Sequence, residues 1–307
     1  MPNQLPVICF SDSPATGEAP QKYVFSFFRD NGERGVYLAV SDDALNWREV
    51  NGGHPVMKPN VGDMITRDPS ICRGPDGKYH MTWTSSWRNK GFGTASSPNL
   101  LDWSEQVQVE VNRDEPAALN TWAPELFYDE PTNQYVVIWA TTIAGQFPET
   151  QTTESEWNHR IYVTTSKDFI NWTPKRLFYD GGFSVIDAFL FKKDGRYGMV
   201  VKDETEDPTP EKNLRVVWSG GGLEGPWGGA EAPFTDNKEA WAEGPSVLHV
   251  GDSWLIYYDK YDKGGYGVVK TTDFKTFTPL SASLPKGIRH GTVFAVPAAE
   301  LQGERWE

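Results

Sequence analysis

The stretch WAEGPSVLHVGDSWLIYYD (Trp241–Asp259) decides the fold. Glu243 stands just before a short apolar run, Gly251-Asp252-Ser253 supplies a tight turn, and an aromatic run from Trp254 to Tyr258 returns. Two such runs around a Gly-Asp turn read as a β-hairpin. The same arrangement occurs three more times upstream. Asp68 precedes Ile71, the turn Gly74-Pro75-Asp76-Gly77 and Tyr79; Glu125 precedes Leu126-Phe127, a turn at 130–133 and Tyr135; Asp187 precedes Phe189-Leu190-Phe191, the turn Lys193-Asp194-Gly195 and Tyr197. The offsets from carboxylate to returning aromatic are 11, 10, 10 and 11 residues.

A second repeat runs in step with the first. Ser41 to Trp47, Ser97 to Trp103 and Ser166 to Trp172 share a polar turn closed by an aromatic residue, with looser copies at Ser219 to Trp227 and Thr272 to Phe277. The closing aromatics are spaced by 56, 69, 55 and 50 residues, about the length of a four-stranded unit. Short β-branched and aromatic runs recur between Gly, Pro, Asn and Asp, and long amphipathic 3.6-residue periods are absent. The expectation is an all-β, five-bladed β-propeller over residues 1–307. A fifth unit opens at Arg289-His290-Gly291, and the chain ends before a return strand. Residues 22–50 therefore complete the last blade with 290–297, closing the ring by hydrogen bonds between chain ends. Two stacked sheets would not require the equal offsets.

Composition narrows the partners. A net charge of -13 argues against nucleic acid and against an anionic membrane surface. Aromatics reach 13%, with 13 Trp, which suits both sugar stacking and a β-rich core. Cys9 and Cys72 have no metal-ligand spacing; two buried thiols fit better than a disulfide. The N-terminus lacks a basic region and a long apolar run, so it reads as cytoplasmic, or as secreted with its signal outside this sequence. The expected protein is a monomer acting on an oligosaccharide or polysaccharide.

In a propeller, the starts of the innermost strands meet at one mouth of the axial channel. Several carboxylates brought together there are costly, because like charges repel at close range. Glycoside hydrolysis uses such a cluster: one carboxylic acid protonates the leaving oxygen, a second carboxylate activates water or attacks, and a third tunes the donor. A hard-metal loop of the EF-hand kind is absent from the sequence.

Five motifs then make a specific match: Arg67-Asp68-Pro69-Ser70-Ile71, Trp122-Ala123-Pro124-Glu125, Val185-Ile186-Asp187, Ala242-Glu243-Gly244-Pro245 and Arg289-His290-Gly291, in this order. From about Tyr23 to Pro297 the chain resembles glycoside hydrolase family 43, whose members are five-bladed propellers that invert the anomeric centre. The resemblance implies that Asp68 is the general base, Glu243 the general acid, and Asp187 the residue that tunes and orients Glu243. It also places His290 near the axis, where in some members a histidine holds a metal ion or its waters. No cofactor is required, and a structural Ca2+ near the axis would involve His290. The chain departs from the family pattern in two places, with Glu125 where Asp is usual and Ala188 after Asp187 where Pro is usual.

Further residues are candidates for substrate binding. Trp87, Trp122 and Trp241 flank the acids and suit either pocket walls or blade packing. Glu125 suits a sugar contact or a strand cap. Arg67, Arg160 and Arg289 suit pairing with the acids or a sugar hydroxyl. The polar stretch Pro148–Glu156 is the longest insertion between signatures and borders the same region. Trp47, Trp103, Trp172 and Trp227 belong to the outer repeat and are structural, and Glu224-Gly225-Pro226 is a surface turn. An invertase-like propeller would carry Asn-Asp-Pro-Asn and Glu-Cys motifs, which are absent. Short loops favour exo action on a terminal furanoside. An α-L-arabinofuranosidase-like activity is expected, with β-D-galactofuranosidase, β-xylosidase and a non-catalytic sugar-binding propeller as alternatives.

Overall fold

A computed structural model describes residues 21–152 and 155–307. The strands β1 (Gln21–Phe27), β2 (Tyr37–Ser41) and β3 (Arg48–Glu49) come first in the chain but belong to the last blade. The first blade is β4 (Arg67–Arg73), β5 (Tyr79–Thr84), β6 (Phe92–Ser97) and β7 (Val107–Val109). The second is β8 (Trp122–Asp129), β9 (Gln134–Thr141), β10 (Arg160–Ser166) and β11 (Arg176–Tyr179); the third is β12 (Val185–Lys193), β13 (Arg196–Asp203), β14 (Asn213–Gly222) and β15 (Gly225–Trp227). The fourth is β16 (Glu243–Val250), β17 (Ser253–Asp259), β18 (Tyr266–Thr271) and β19 (Thr278–Leu280). Then β20 (Val293–Pro297) pairs antiparallel with β1, with Val293 opposite Phe25 and Pro297 opposite Gln21. The ring is therefore closed by backbone hydrogen bonds between the two ends of the described chain, and the inner strands β4, β8, β12, β16 and β20 follow one another around the axis. The expected five-bladed propeller, with N-terminal strands completing its last blade, is the observed fold. Cys72 is fully buried in β4 and is disulfide-bonded, which corrects the expectation of a free thiol; Cys9 lies outside the described residues.

The outer repeat is a hydrogen-bonded corner between the third and fourth strands of a blade. Asp43 Oδ1 accepts from the backbone N–H groups of Leu45 and Asn46 at 2.9 and 2.7 Å. Asn99 does the same for Leu101 and Asp102, Asp168 for Ile170 and Asn171, and Asp273 for Lys275 and Thr276. These side chains replace the backbone partners that a turning chain lacks. The residue after each acceptor, Ala44, Leu100, Phe169 or Phe274, is left-handed, with φ between 55° and 68°, and buries its side chain. The copy at Thr271–Phe277 thus has the full device. The copy at Ser219–Trp227 does not: β14 runs on to Gly222 and turns back through Gly225 into β15.

Aromatic side chains fill the spaces between blades. Trp47 meets Phe25 and Tyr257 edge-on, Trp172 meets Phe92, and Phe191 of β12 stacks on Phe274 with ring centroids 4.3 Å apart. Much of the aromatic content is thereby core, where each edge-on or stacked pair adds ~0.5–1.5 kcal/mol to area burial. Closure of the ring has a sharper steric requirement. Ser26 and Thr292 exchange backbone hydrogen bonds of 3.0 and 3.2 Å, and a Cβ on neighbouring Gly291 would lie 1.8 Å from the Ser26 carbonyl oxygen. Gly291→Ala is expected to lower stability by about 2 kcal/mol or more, measured as a shift of the urea midpoint, because backbone on both sides leaves no room to relax.

Candidate active site

Every inner strand carries a β-bulge at the end nearest the site. Arg67 pairs with Thr84 and Ser70 with Thr82, so residues 68 and 69 face one residue of β5. The same slip separates Trp122 from Glu125, Ile186 from Phe189, and Glu243 from Ser246. In the fifth blade Arg289 bridges to Phe28 and Thr292 pairs with Ser26, leaving 290 and 291 opposite one residue. The first bulged residue is left-handed at Asp68 (φ 52°), Ala123 (47°), Asp187 (50°) and Gly244 (56°), as this type of bulge requires. Glycine is the usual solution, and aspartate tolerates the conformation better than most residues.

Alignment on the bulge corrects the expectation that the four acids are equivalent. Asp68, Ala123, Asp187, Gly244 and His290 share the first bulged position. Glu243 lies one residue before it, with Arg67, Trp122, Ile186 and Arg289. Glu125 lies two residues after it, with Ser70, Phe189, Ser246 and Thr292. The near-equal offsets to the aromatics concealed a stagger of up to three residues.

The residues at the first bulged position converge. His290 Nδ1 is 3.3 Å from Asp68 Oδ1 and 3.5 Å from Asp187 Oδ2. Asp187 Oδ2 accepts the Gly244 N–H at 2.9 Å. Thr84 Oγ1 donates to Asp68 Oδ2 at 2.7 Å and accepts the Ala123 N–H at 2.7 Å. Gly244 is required twice over, since a Cβ there would sit 2.3 Å from His290 Cγ. Glu243 lies beside this cluster. Its Oε1 accepts from Arg289 Nη2 at 3.0 Å and its Oε2 from Lys202 Nζ at 3.2 Å. The hairpin register sets Asp259, the last residue of the deciding stretch, opposite Glu243, and Arg289 Nε donates to Asp259 Oδ2.

Burial and these pairings oppose one another. Burial alone would raise the Asp68 carboxyl; the charge and hydrogen bond of His290, helped by Arg67 and Thr84, outweigh it and hold the group at about 2. Asp187 is pushed up to about 6, chiefly by burial, with His290 opposing and Glu243 reinforcing the rise. His290 is driven down by burial but further up by Asp187 and Asp68, reaching about 9. The centre therefore holds an imidazolium between a firmly ionised Asp68 and an easily protonated Asp187. Among the described residues, no group of three or more His, Cys, Asp or Glu side chains is arranged to hold a metal ion. Nδ1 of His290 is directed at the carboxylates of Asp68 and Asp187.

The other candidates separate into mouth and frame. Arg67 stacks over Trp87 and Phe28, 4.4 and 4.7 Å from the ring centroids, and Trp87 is 44% exposed. Trp122 meets Trp87 edge-on and donates its indole N–H to the Trp87 carbonyl. Trp241 is part-exposed near Tyr261, whose hydroxyl accepts from Lys202. Glu125, by contrast, is buried three residues along β8 from Trp122, its Oε1 has no hydrogen-bond partner, and burial lifts it to about 8. It lies deeper along its strand than the aromatic rings of the mouth. Arg160 is also withdrawn: it is fully buried and bonded to Asp180, Asn158, the His159 carbonyl and Thr150, clamping the inserted segment to its blade. Glu224 forms an exposed ion pair with Arg176 at the rim, as a surface turn should.

Three residues of the site escaped the sequence reading. Lys202, next to last in β13, and Asp259, the last residue of β17, look like ordinary polar residues at strand ends, although a charged residue closing a buried run opposite a motif residue was a usable signal. Trp157, which directly follows the inserted segment, packs its ring 4.6 Å from that of Trp122.

Residues 18–302 match the family model described as a probable glycosyl hydrolase domain related to family 43. The chain belongs to this glycosyl hydrolase family. An α-L-arabinofuranosidase of Bifidobacterium longum subsp. longum is 26% identical over 217 residues, which is 62% of this chain and 20% of that protein; the chain thus spans about a fifth of that relative's length. Among solved structures, a thermostable family-43 glycoside hydrolase aligns over 73% of this chain and 78% of its own, with a TM-score of 0.58 and 18% identity. An α-L-arabinofuranosidase from Lactobacillus brevis aligns over 76% and 75%, with a TM-score of 0.55 and 18% identity.

For this glycosyl hydrolase the buried groups predict a pH signature. His290, protonated more readily in the fold than its ordinary 6.5, contributes stability in full below pH 6.5 and loses it as pH rises through about 9. Glu125 is harder to ionise in the fold, so stability also falls as pH rises from 4.5 through about 8. Urea midpoints followed across pH should show His290→Gln flattening the slope between 6.5 and 9. Glu125→Gln should flatten it between 4.5 and 8, with a cost at pH 4.5 within about 1.5 kcal/mol because the swap conserves volume.

Proposed function

We propose that the chain is an inverting, exo-acting glycoside hydrolase that removes terminal α-L-arabinofuranosyl groups from oligosaccharide or polysaccharide side chains and acts as a monomer. The observation that carries this reading is the joining of Asp68, Asp187 and Glu243, remote in sequence, through His290 and Gly244 into one cluster. In this reading Asp68, held ionised by His290, takes a proton from water as the water oxygen attacks the anomeric carbon. Glu243 gives its proton to the glycosidic oxygen as the C–O bond breaks. Arg289 and Lys202 fix the orientation of that carboxyl. The water and the proton donor act on opposite faces of the sugar, so the product has the inverted configuration.

The α-L-arabinofuranosidase relative supports the choice of sugar. β-D-galactofuranosides and β-xylosides are the neighbouring possibilities, decided by the walls around Trp87, Trp122 and Trp241. Because His290 serves as an imidazolium, turnover should persist after treatment with a chelator.

Hydrolysis of a panel of nitrophenyl furanosides and pyranosides, with NMR of the first-formed anomer, tests the assignment. The expected result is turnover of the α-L-arabinofuranoside with inverted product; a retained anomer rules the mechanism out. Glu243→Gln should lower kcat by about 10²–10⁴-fold while sugar binding persists. A sugar-binding propeller without catalysis would have no turnover to lose.

A further inference from the structure

A cavity of about 760 Å3 opens beside the mouth, lined by the inserted segment of the second blade and by residues 204–208 of the third. None of Asp68, Asp187 or Glu243 lines it. Its two ends nevertheless touch the site. Glu204, in its wall, has Oε2 2.7 Å from Lys202 Nζ, and the same ammonium group bonds Glu243. On the other side Trp157 lines the cavity and packs on Trp122. The shared ammonium group sets the cavity wall beside Glu243, the residue read as proton donor. The volume falls within the ~300–1,000 Å3 typical of small-molecule sites.

The lining is amphipathic in the manner of a sugar. Trp157 and Phe183 offer part-exposed rings to apolar ring faces. Glu149 and Asp207 offer acceptors, and Asp207 Oδ2 is buried without a hydrogen-bond partner. Carboxylates accept hydrogen bonds and do not donate them, so a hydroxylated ligand satisfies them and an anionic one does not. A cationic ligand has little to gain from Glu204 and Glu206, which Lys202 and Lys212 already pair.

We infer that this cavity binds the neutral oligosaccharide to which the terminal sugar is attached, making Trp157 and Phe183 specificity-determining residues. That it takes the leaving side of the substrate rests on the proposed hydrolysis; that it binds a neutral sugar chain does not.

The test uses the full chain carrying Glu243→Gln, titrated by calorimetry with a neutral arabinoxylo-oligosaccharide and with methyl α-L-arabinofuranoside. Phe183→Ala removes one ring, and Thr205→Trp fills the cavity. Each should weaken the oligosaccharide about tenfold and change the monosaccharide less than about twofold. Equal losses for both ligands, no loss for either, or no binding of the oligosaccharide before these changes would overturn the proposal. An oligosaccharide bearing a uronate on the leaving side should bind about tenfold more weakly than its neutral counterpart; equal affinity overturns the neutral assignment. If the wild-type chain turns over no glycoside while the binding pattern holds, the hydrolysis fails and the cavity assignment stands.

Discussion

The bulge repeated at the axial end of all five inner strands is the constraint on which the site depends. A regular ladder would send alternate side chains to opposite faces of each blade. The extra residue breaks that alternation, with a left-handed backbone in four of the five strands, and brings the first bulged residues together at the axis. Asp68, Asp187 and His290 meet because they occupy that residue, and Gly244 leaves room for the histidine ring. The left-handed conformation is unfavourable for an aspartate, yet it is held by ladder hydrogen bonds on both sides and by contacts between blades. Ser70 receives the Leu126 N–H of the next blade, Ser246 receives the Val293 N–H, and Thr292 and Ser26 both donate to the Pro69 carbonyl. Strain at the mouth is thus supported by a belt of hydrogen bonds just beneath it.

That belt also lets the centre hold several ionisable groups in little space. Two buried carboxylates and an imidazole would be costly singly, but alternating their charges offsets much of the burial penalty. The same logic extends outward. Glu243 lies between Lys202 and Arg289, Arg289 also bonds Asp259, and Lys202 also pairs with Glu204. A row of alternating charge therefore runs from the axis to the neighbouring cavity. Charges linked in this way hold one another in position, and removal of one member leaves its partner buried and unpaired.

The blades and the loops divide the work. Outer corners built on Asp43, Asn99, Asp168 and Asp273 fix each blade with local hydrogen bonds, and aromatic wedges fix blade to blade. On this rigid frame the inserted segment is anchored by Arg160 and brings Trp157 against Trp122. The wall of the mouth is therefore shaped by a segment that can vary without disturbing the acids.

The sequence by itself determined the architecture, because each blade is a local object. Its hairpin turns, its polar corner and its alternation of apolar residues lie within some fifty consecutive residues, and their repetition announces a ring. It also marked Asp68, Asp187, Glu243 and His290 through motifs in the right order. Only the tertiary structure decided how these residues relate. A one-residue stagger does not alter a motif, but in a bulged strand it decides whether a side chain points to the axis, to the mouth or into the interior. That is why Glu243 stands apart from Asp68 and Asp187, and why Glu125 is buried. Lys202 and Asp259 entered the site only through cross-strand register, and Arg160 left it because its partners are gathered by folding. Contacts between strands depend on pairing and stagger, which hydrogen bonds across the sheet fix and which spacing along the chain does not encode.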